Sequence, residues 1–133
     1  MLNWTVEPLK EVNGIKFGMK RDSVRKLFTV EAKEFKKSKF SKNTTDDFGF
    51  CHIFYNQQNE CEAIEIFRDN KNIIEILISG AIIFPTSLDI VKSFFKDLEK
   101  DGDSYISKAN SIGIYAPNDK MESILFGDQG YYD

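Results

Sequence analysis

Apolar residues fall in short groups parted by polar turns, and their spacing predicts the elements. After Phe84-Pro85, Thr86 or Ser87 can cap a helix, with Asp89 three residues after Thr86 completing a capping-box-like start. Leu88, Val91, Phe94, Phe95 and Leu98 then recur at helical spacing. Lys96 and Lys100 suit the negative end, and Gly102 supplies a stop, which predicts a helix over about 87–100. A shorter helix is expected from Arg21 to about Phe28, with Val24, Leu27 and Phe28 as its apolar edge and Asp22 at its positive end. The β-branched pair Thr29-Val30 weakens any continuation.

The other apolar groups read as strands: Phe48 to Tyr55, Glu62 to Phe67, Ile73 to Ile78, Ala81 to Phe84, Ser104 to Ser107, Ser111 to Ala116 and Glu122 to Phe126. Pro117-Asn118-Asp119-Lys120 marks a turn between the last two. The expectation is a single α+β domain over residues 1–133. Its sheet is mainly antiparallel, of about six or seven strands, with two main helices packed on it.

These groups also echo one another. Gly14-Ile15-Lys16-Phe17 ahead of Val24, Leu27 and Phe28 is answered 67 positions later by Ala81-Ile82-Ile83-Phe84 ahead of Val91, Phe94 and Phe95. Ile53-Phe54-Tyr55-Asn56 with Glu62-Ala63-Ile64 is matched, 60 positions on, by Gly113-Ile114-Tyr115-Ala116 with Glu122-Ser123-Ile124. The pattern suggests two β-α-β-β units over about 14–67 and 81–127, against the alternative that short hydrophobic words recur by chance.

A length of 133 residues, with 41% hydrophobic and 29% charged, suits one globular domain and not a disordered tail. One His and two Cys leave little material for metalloenzymes or His-based triads, and no cofactor or metal is implied. The first residues offer neither a basic start nor a long apolar stretch, and Ile73 to Phe84 is too short to cross a bilayer. The expectation is a cytoplasmic protein without membrane attachment. If Gln57-Gln58 form a two-residue loop, Phe54 lies across from Cys61. Cys51 and Cys61 then sit on opposite faces of the hairpin as reduced, buried thiols.

Catalytic chemistry finds little support. Alternation puts His52 on the face of Phe48, Phe50 and Phe54, and its neighbour Cys51 points the other way, so the two cannot readily form a nucleophile–base pair. The acidic groups Asp46-Asp47, Asp101/Asp103 and Asp119/Glu122 lie where turns are expected, and turns favour Asp for local backbone bonding. Gly14 and Gly18 fit no phosphate-binding motif. The reading is of a binder and not an enzyme.

Charge distribution gives that reading a direction. The net charge of −3 resolves into nine Lys/Arg against three Asp/Glu over residues 20–42, and seven against sixteen over 43–133. Within 33–42, Lys33, Lys36, Lys37, Lys39 and Lys42 alternate with Phe35 and Phe40, a composition that could grip nucleic acid or another ligand. The blander reading is a solubilising loop whose Phe residues pack inward. The acidic remainder suits a basic protein partner, since a negative surface speeds encounter with a cationic one. Candidate contact residues are Asp46, Asp47, Asp119, Glu122, Asp128, Tyr131 and Tyr132, the last three in a Gly-rich closing segment.

Gly14-Ile15-Lys16-Phe17-Gly18-Met19-Lys20-Arg21 leading into Val24-Arg25, then Asp46-Asp47-Phe48-Gly49 and Gly130-Tyr131-Tyr132, resemble small bacterial immunity proteins of contact-dependent growth inhibition and polymorphic toxin systems. The G-M-x-R-x-x-V helix start also resembles tandem α/β modules of envelope lipoproteins and secreted β-lactamase inhibitor proteins, which carry a lipobox or signal sequence not found here. The first resemblance implies stoichiometric inhibition of a cognate toxin's C-terminal domain, often a nuclease, with no turnover. The alternative is a nucleic-acid- or ligand-binding module built on 33–42.

Overall fold

The computed structural model describes residues 2–68 and 74–133. In chain order the elements are β1 (Leu2–Glu7), β2 (Glu11–Val12), β3 (Ile15–Lys16), α1 (Arg21–Arg25), β4 (Lys33–Phe35), β5 (Thr45–Asp47), β6 (Cys51–Tyr55) and β7 (Cys61–Phe67). There follow β8 (Ile74–Ile78), β9 (Ala81–Phe84), α2 (Leu88–Phe94), β10 (Glu99–Asp101), β11 (Ser104–Ser107), β12 (Ile112–Tyr115), a 3₁₀ turn (Pro117–Asp119) and β13 (Ser123–Gly127). None of these helices is long and apolar enough to cross a membrane.

The strands form two sheets, of five in the order β3-β2-β1-β8-β9 and of eight in the order β10-β11-β12-β13-β7-β6-β5-β4. Among the described residues every pairing is antiparallel except β1 with β8. Each half of the chain supplies a short helix and then four strands, and the two sets of four meet where β13 pairs with β7.

One core binds these parts. Ile53, Ile64, Ile66, Ile112, Ile114, Ile124 and Phe126 from one face of the eight-stranded sheet join Trp4, Val6, Ile76 and Ile83 of the five-stranded sheet, with Val24 of α1 and Leu88 and Val91 of α2. Alternation within β13 and β7 sends these side chains to one face, as period-two geometry requires. At one end of the core Trp4, Phe28, Phe48 and Phe50 form an aromatic corner, with Phe28 stacked on Phe48 at 3.7 Å between centroids and Trp4 edge-on to Phe50 at 5.3 Å.

The architecture is mainly β with two short helices, and its thirteen described strands exceed the six or seven expected. Beyond the seven apolar groups the structure adds β1 to β5 and β10, of which β3 falls at 14–17, the opening strand of the first expected β-α-β-β unit. β2 is two residues long and β10 (Glu-Lys-Asp) is wholly exposed, so neither length nor an apolar face announces them. The helix expected over 87–100 starts as foreseen, with the Ser87 side chain accepting from the Ile90 N–H, but ends at Phe94. Phe95 turns to extended backbone (φ −115°, ψ 99°), which sends its ring into the core and frees 99–101 to pair with β11. The helix expected to reach Phe28 closes at Arg25, leaving Leu27 exposed.

The strand expected from Phe48 begins at Cys51, because the Phe48 N–H donates to the Cys51 carbonyl across a tight turn at Gly49 (φ +94°). Residue 73, where the next expected strand begins, lies outside the described residues; from Ile74 the strand is present. The cysteines depart from the two-residue-loop expectation. The β6–β7 loop runs through Asn56–Glu60, with the Asn56 N–H donating to the Glu60 carbonyl, and a register shift at Phe54/Tyr55 pairs Tyr55 with Cys61. Cys51 and Cys61 therefore both join the core as free thiols.

Candidate protein-binding face

The face of the eight-stranded sheet turned away from the core can be read from the register. One row crosses every strand: Lys33, Asp47, His52, Glu65, Leu125, Gly113, Ile106 and Glu99 stand side by side from β4 to β10. A second row runs Asp101, Ser104, Tyr115, Ser123 and Phe67. On the other side of the first row lie Phe35 beside Thr45, and Phe54 beside Ala63 and Gly127. These rows carry Asp47, Glu65, Glu99 and Asp101 against Lys33 alone, so the face is acidic although the segment at its β4 edge is basic.

Aromatic groups gather on it. His52 lies between Phe35 and Phe67, with centroids at 4.9 and 4.6 Å, and is in edge contact with Phe54 at 6.4 Å. All of these except Phe54 stay half exposed, and Tyr115 is 45% exposed. His52 thus shares a face with Phe54 as expected, while Phe48 and Phe50 belong to the core side because the Gly49 turn breaks the alternation. The His52 Nε2 lies 3.5 Å from Asp47 Oδ1.

Residues 128–133 fold back over this face. The Asp128 N–H donates to the Glu62 carbonyl, and two successive turns follow, Tyr131 N–H to Asp128 carbonyl and Asp133 N–H to Gly130 carbonyl. The rings of Tyr131 and Tyr132 meet edge to face at 5.2 Å and rest where β12 and β13 carry glycine. A β-carbon at Gly127 would stand 2.7 Å from Cβ and Cγ of Tyr131, and one at Gly113 would overlap the Tyr132 hydroxyl and lie 2.8 Å from its Cζ. Strand glycines of this kind mark a close approach. Partial burial, with the charges of Glu62 and Glu65 nearby, pushes the Tyr131 phenol up to about 12. Burial, then Tyr131 and Glu65, also raises that of Tyr132.

The candidate residues are distributed unevenly about this surface. Asp47, Tyr131 and Tyr132 lie on the face and Asp128 at its margin, whereas Asp119 and Glu122 sit exposed at the β12–β13 turn, near the opposite end of β13. Asp119 accepts a hydrogen bond from the Tyr105 hydroxyl at 2.8 Å.

Asp46 departs from the surface role expected of it, because strand alternation turns it inward, with no exposed area. Its Oδ1 accepts from Arg21 Nη2 at 2.8 Å and Arg25 Nη2 at 2.6 Å, and its Oδ2 from Arg25 Nε at 2.8 Å and the Tyr55 hydroxyl at 2.9 Å. The Arg21 guanidinium also lies 4.4 Å above the Tyr55 ring. Burial disfavours the Asp46 charge, but the hydrogen bonds from Arg25, Arg21 and Tyr55 outweigh it and hold the carboxyl below its usual range. The cluster clamps α1 to β5 and β6.

The basic segment frames the same face. Lys37 reaches over the Phe54 ring, with Nζ 3.8 Å from the centroid, and donates to the Tyr131 hydroxyl at 3.4 Å. Phe35 packs beside His52 on the outer face and Phe40 is 81% exposed, so neither phenylalanine turns into the core. Residues that sequence reasoning passed over are Phe67, Gly113 and Tyr115. Compared with protein-family models, curated proteins and solved structures, the chain matches none.

Proposed function

We propose that this chain is an immunity protein, which binds the C-terminal domain of a cognate bacterial toxin and blocks it by stoichiometric occlusion. The observation that carries the reading is the outward face of the eight-stranded sheet: half-exposed aromatic rings near Asp47 and Glu65, with Glu99 and Asp101 at its far edge. Seven strand spacings of about 4.8 Å by about four residues of strand give a platform of roughly 500 Å², over half of the about 800 Å² each partner contributes to a standard interface. Exposed rings supply area that gains from desolvation, while the carboxylates favour a cationic partner over neutral competitors. A nuclease domain, basic where it holds phosphates, fits that chemistry.

The test is direct. The toxin domain encoded next to this chain's gene is titrated with the purified protein, and a 1:1 complex that abolishes toxicity is the expected result. Failure to bind or neutralise that domain overturns the proposal. Salt-sensitive RNA or DNA binding abolished by reversing Lys36, Lys37 and Lys39 to Glu would favour the nucleic-acid reading instead.

A further inference from the structure

Beside Tyr132 the acidic face opens into a hollow of about 580 Å³, bounded by that ring, Ile106, Asp97, Glu99, Asp101 and Lys108, with Lys100 also at its rim. Three carboxylates line it against two ammonium groups, and the Lys100 Nζ lies 6.0 Å from the Tyr105 ring, a residue of the core side. Its aromatic wall is set in place by backbone. Beyond Asp128, the backbone N–H bonds of Tyr131 and Asp133 close turns within the segment, and the rings are seated against Gly127 and Gly113. Glycine inside a strand weakens it, so these two positions give up strand stability where the rings need the space.

We propose that this hollow receives an arginine or lysine side chain from a loop of a protein partner, with Tyr132 as the stacking wall and Glu99 and Asp101 as counter-charges. The inference rests on the protein-binding reading above and names the partner's chemistry at one place on the face. A guanidinium held against a tyrosine ring and facing carboxylates gains from cation–π attraction and from charge-assisted hydrogen bonds together. The negative rows of the face make it complementary to a cationic loop. Seating the ring beforehand removes the cost of ordering it on binding.

The experiment uses the full chain, isotopically labelled, and a nona-arginine peptide followed by amide NMR shifts, with deca-glutamate as control. Shifts should centre on Glu99, Ile106 and Tyr132, weaken with salt, and be absent with deca-glutamate. Tyr132→Ala and the double change Glu99→Gln/Asp101→Asn should each weaken the peptide roughly two- to tenfold, and Gly127→Ala, which leaves both tyrosines in the sequence, should weaken it through loss of seating. Should Gly127→Ala fail to fold, the Tyr132→Ala and charge variants still decide. Shifts centred elsewhere, equal binding of deca-glutamate, preference for a single-stranded oligonucleotide, or unchanged affinity in Tyr132→Ala would each overturn the proposal. The two proposals fail separately. Toxin-domain binding unaffected by Tyr132→Ala removes this site and leaves the immunity function; peptide binding at Tyr132 without toxin binding does the reverse.

Discussion

Replacing Asp46 by Asn tests the account of how α1 is fixed to the sheet. The change preserves size but removes the charge that two guanidinium groups and the Tyr55 hydroxyl address. Arg21, only 8% exposed, would keep its positive charge inside the protein with Glu34 as its remaining acidic partner at 3.4 Å. Breaking a buried pair by removing one member costs about 3–5 kcal/mol. Arg25, with a 35% exposed side chain, can turn to water, so its share is discounted and the expected loss sits near the lower end, about 3 kcal/mol. For a domain of this size that corresponds to a fall in Tm of roughly 10 °C. Urea unfolding should show a lower midpoint with an unchanged slope. The pH dependence has a definite sign. Because the folded carboxyl titrates below its unfolded value of about 3.9, its stabilisation is present above that pH and is lost as pH falls through the folded value. The wild type should therefore lose stability on acidification below about pH 4, and Asp46→Asn should flatten that limb. A loss under about 1 kcal/mol, or an acid limb that keeps its slope, would refute the clamp; a buried pair should cost several times that.

Gly127→Ala places a β-carbon against Tyr131 near its backbone, where the ring cannot swing clear, and should release residues 129–133 to carboxypeptidase much faster than in the wild type at a stability cost of about 1–3 kcal/mol. Gly113→Ala meets only the far end of the Tyr132 ring and should cost less by the same assay. Phe126→Ala empties a fully buried site and should lose about 3–5 kcal/mol in urea unfolding, against about 0.5–1.5 for Ile64→Val. Burial raises both thiols, Cys61 to about 12, so a thiol-specific reagent at neutral pH should label neither until the chain unfolds. Rapid native labelling would contradict their placement. Spectrophotometric titration should find Tyr131 ionising near 12, identified by the component lost in Tyr131→Phe.

Where an element carried its own signature, the sequence announced it. Ser87 capped the longer helix as its type suggests, and β7, β8, β9 and β11 to β13 occupy the apolar groups that alternate or run continuously. What escaped were elements whose reason lies elsewhere in the chain. β10 is polar throughout and exists because β11 offers it a ladder, and α2 stops at Phe94 although Phe95 and Leu98 continue the helical spacing. Asp46 and Asp47 look alike as neighbours in a polar run, and only the pairing of β5 with β6 sends one into the core and the other to the outer face. The face is of the same kind. Its central row joins Lys33 to Glu99 through six other residues, a relation no local pattern contains, and the glycines at 113 and 127 gained their meaning only once Tyr131 and Tyr132 were seen packed on them.

The meeting of β7 with β13, and of β1 with β8, has a consequence for how the protein comes into being. Both seams join segments about sixty to seventy residues apart, Ile64 to Phe126 in one and Trp4 to Ile76 in the other. During synthesis β7 is complete some sixty residues before its neighbour, which at about 5–20 residues per second is a wait of roughly 3–12 s. Through that interval β7 presents an unpaired strand edge to whatever surrounds the ribosome, whereas β1 gains its neighbour β8 soon after β7 is made. A chain built this way should depend on holding factors while it is made, and should be far less prone to aggregate once its last strand has closed the seam.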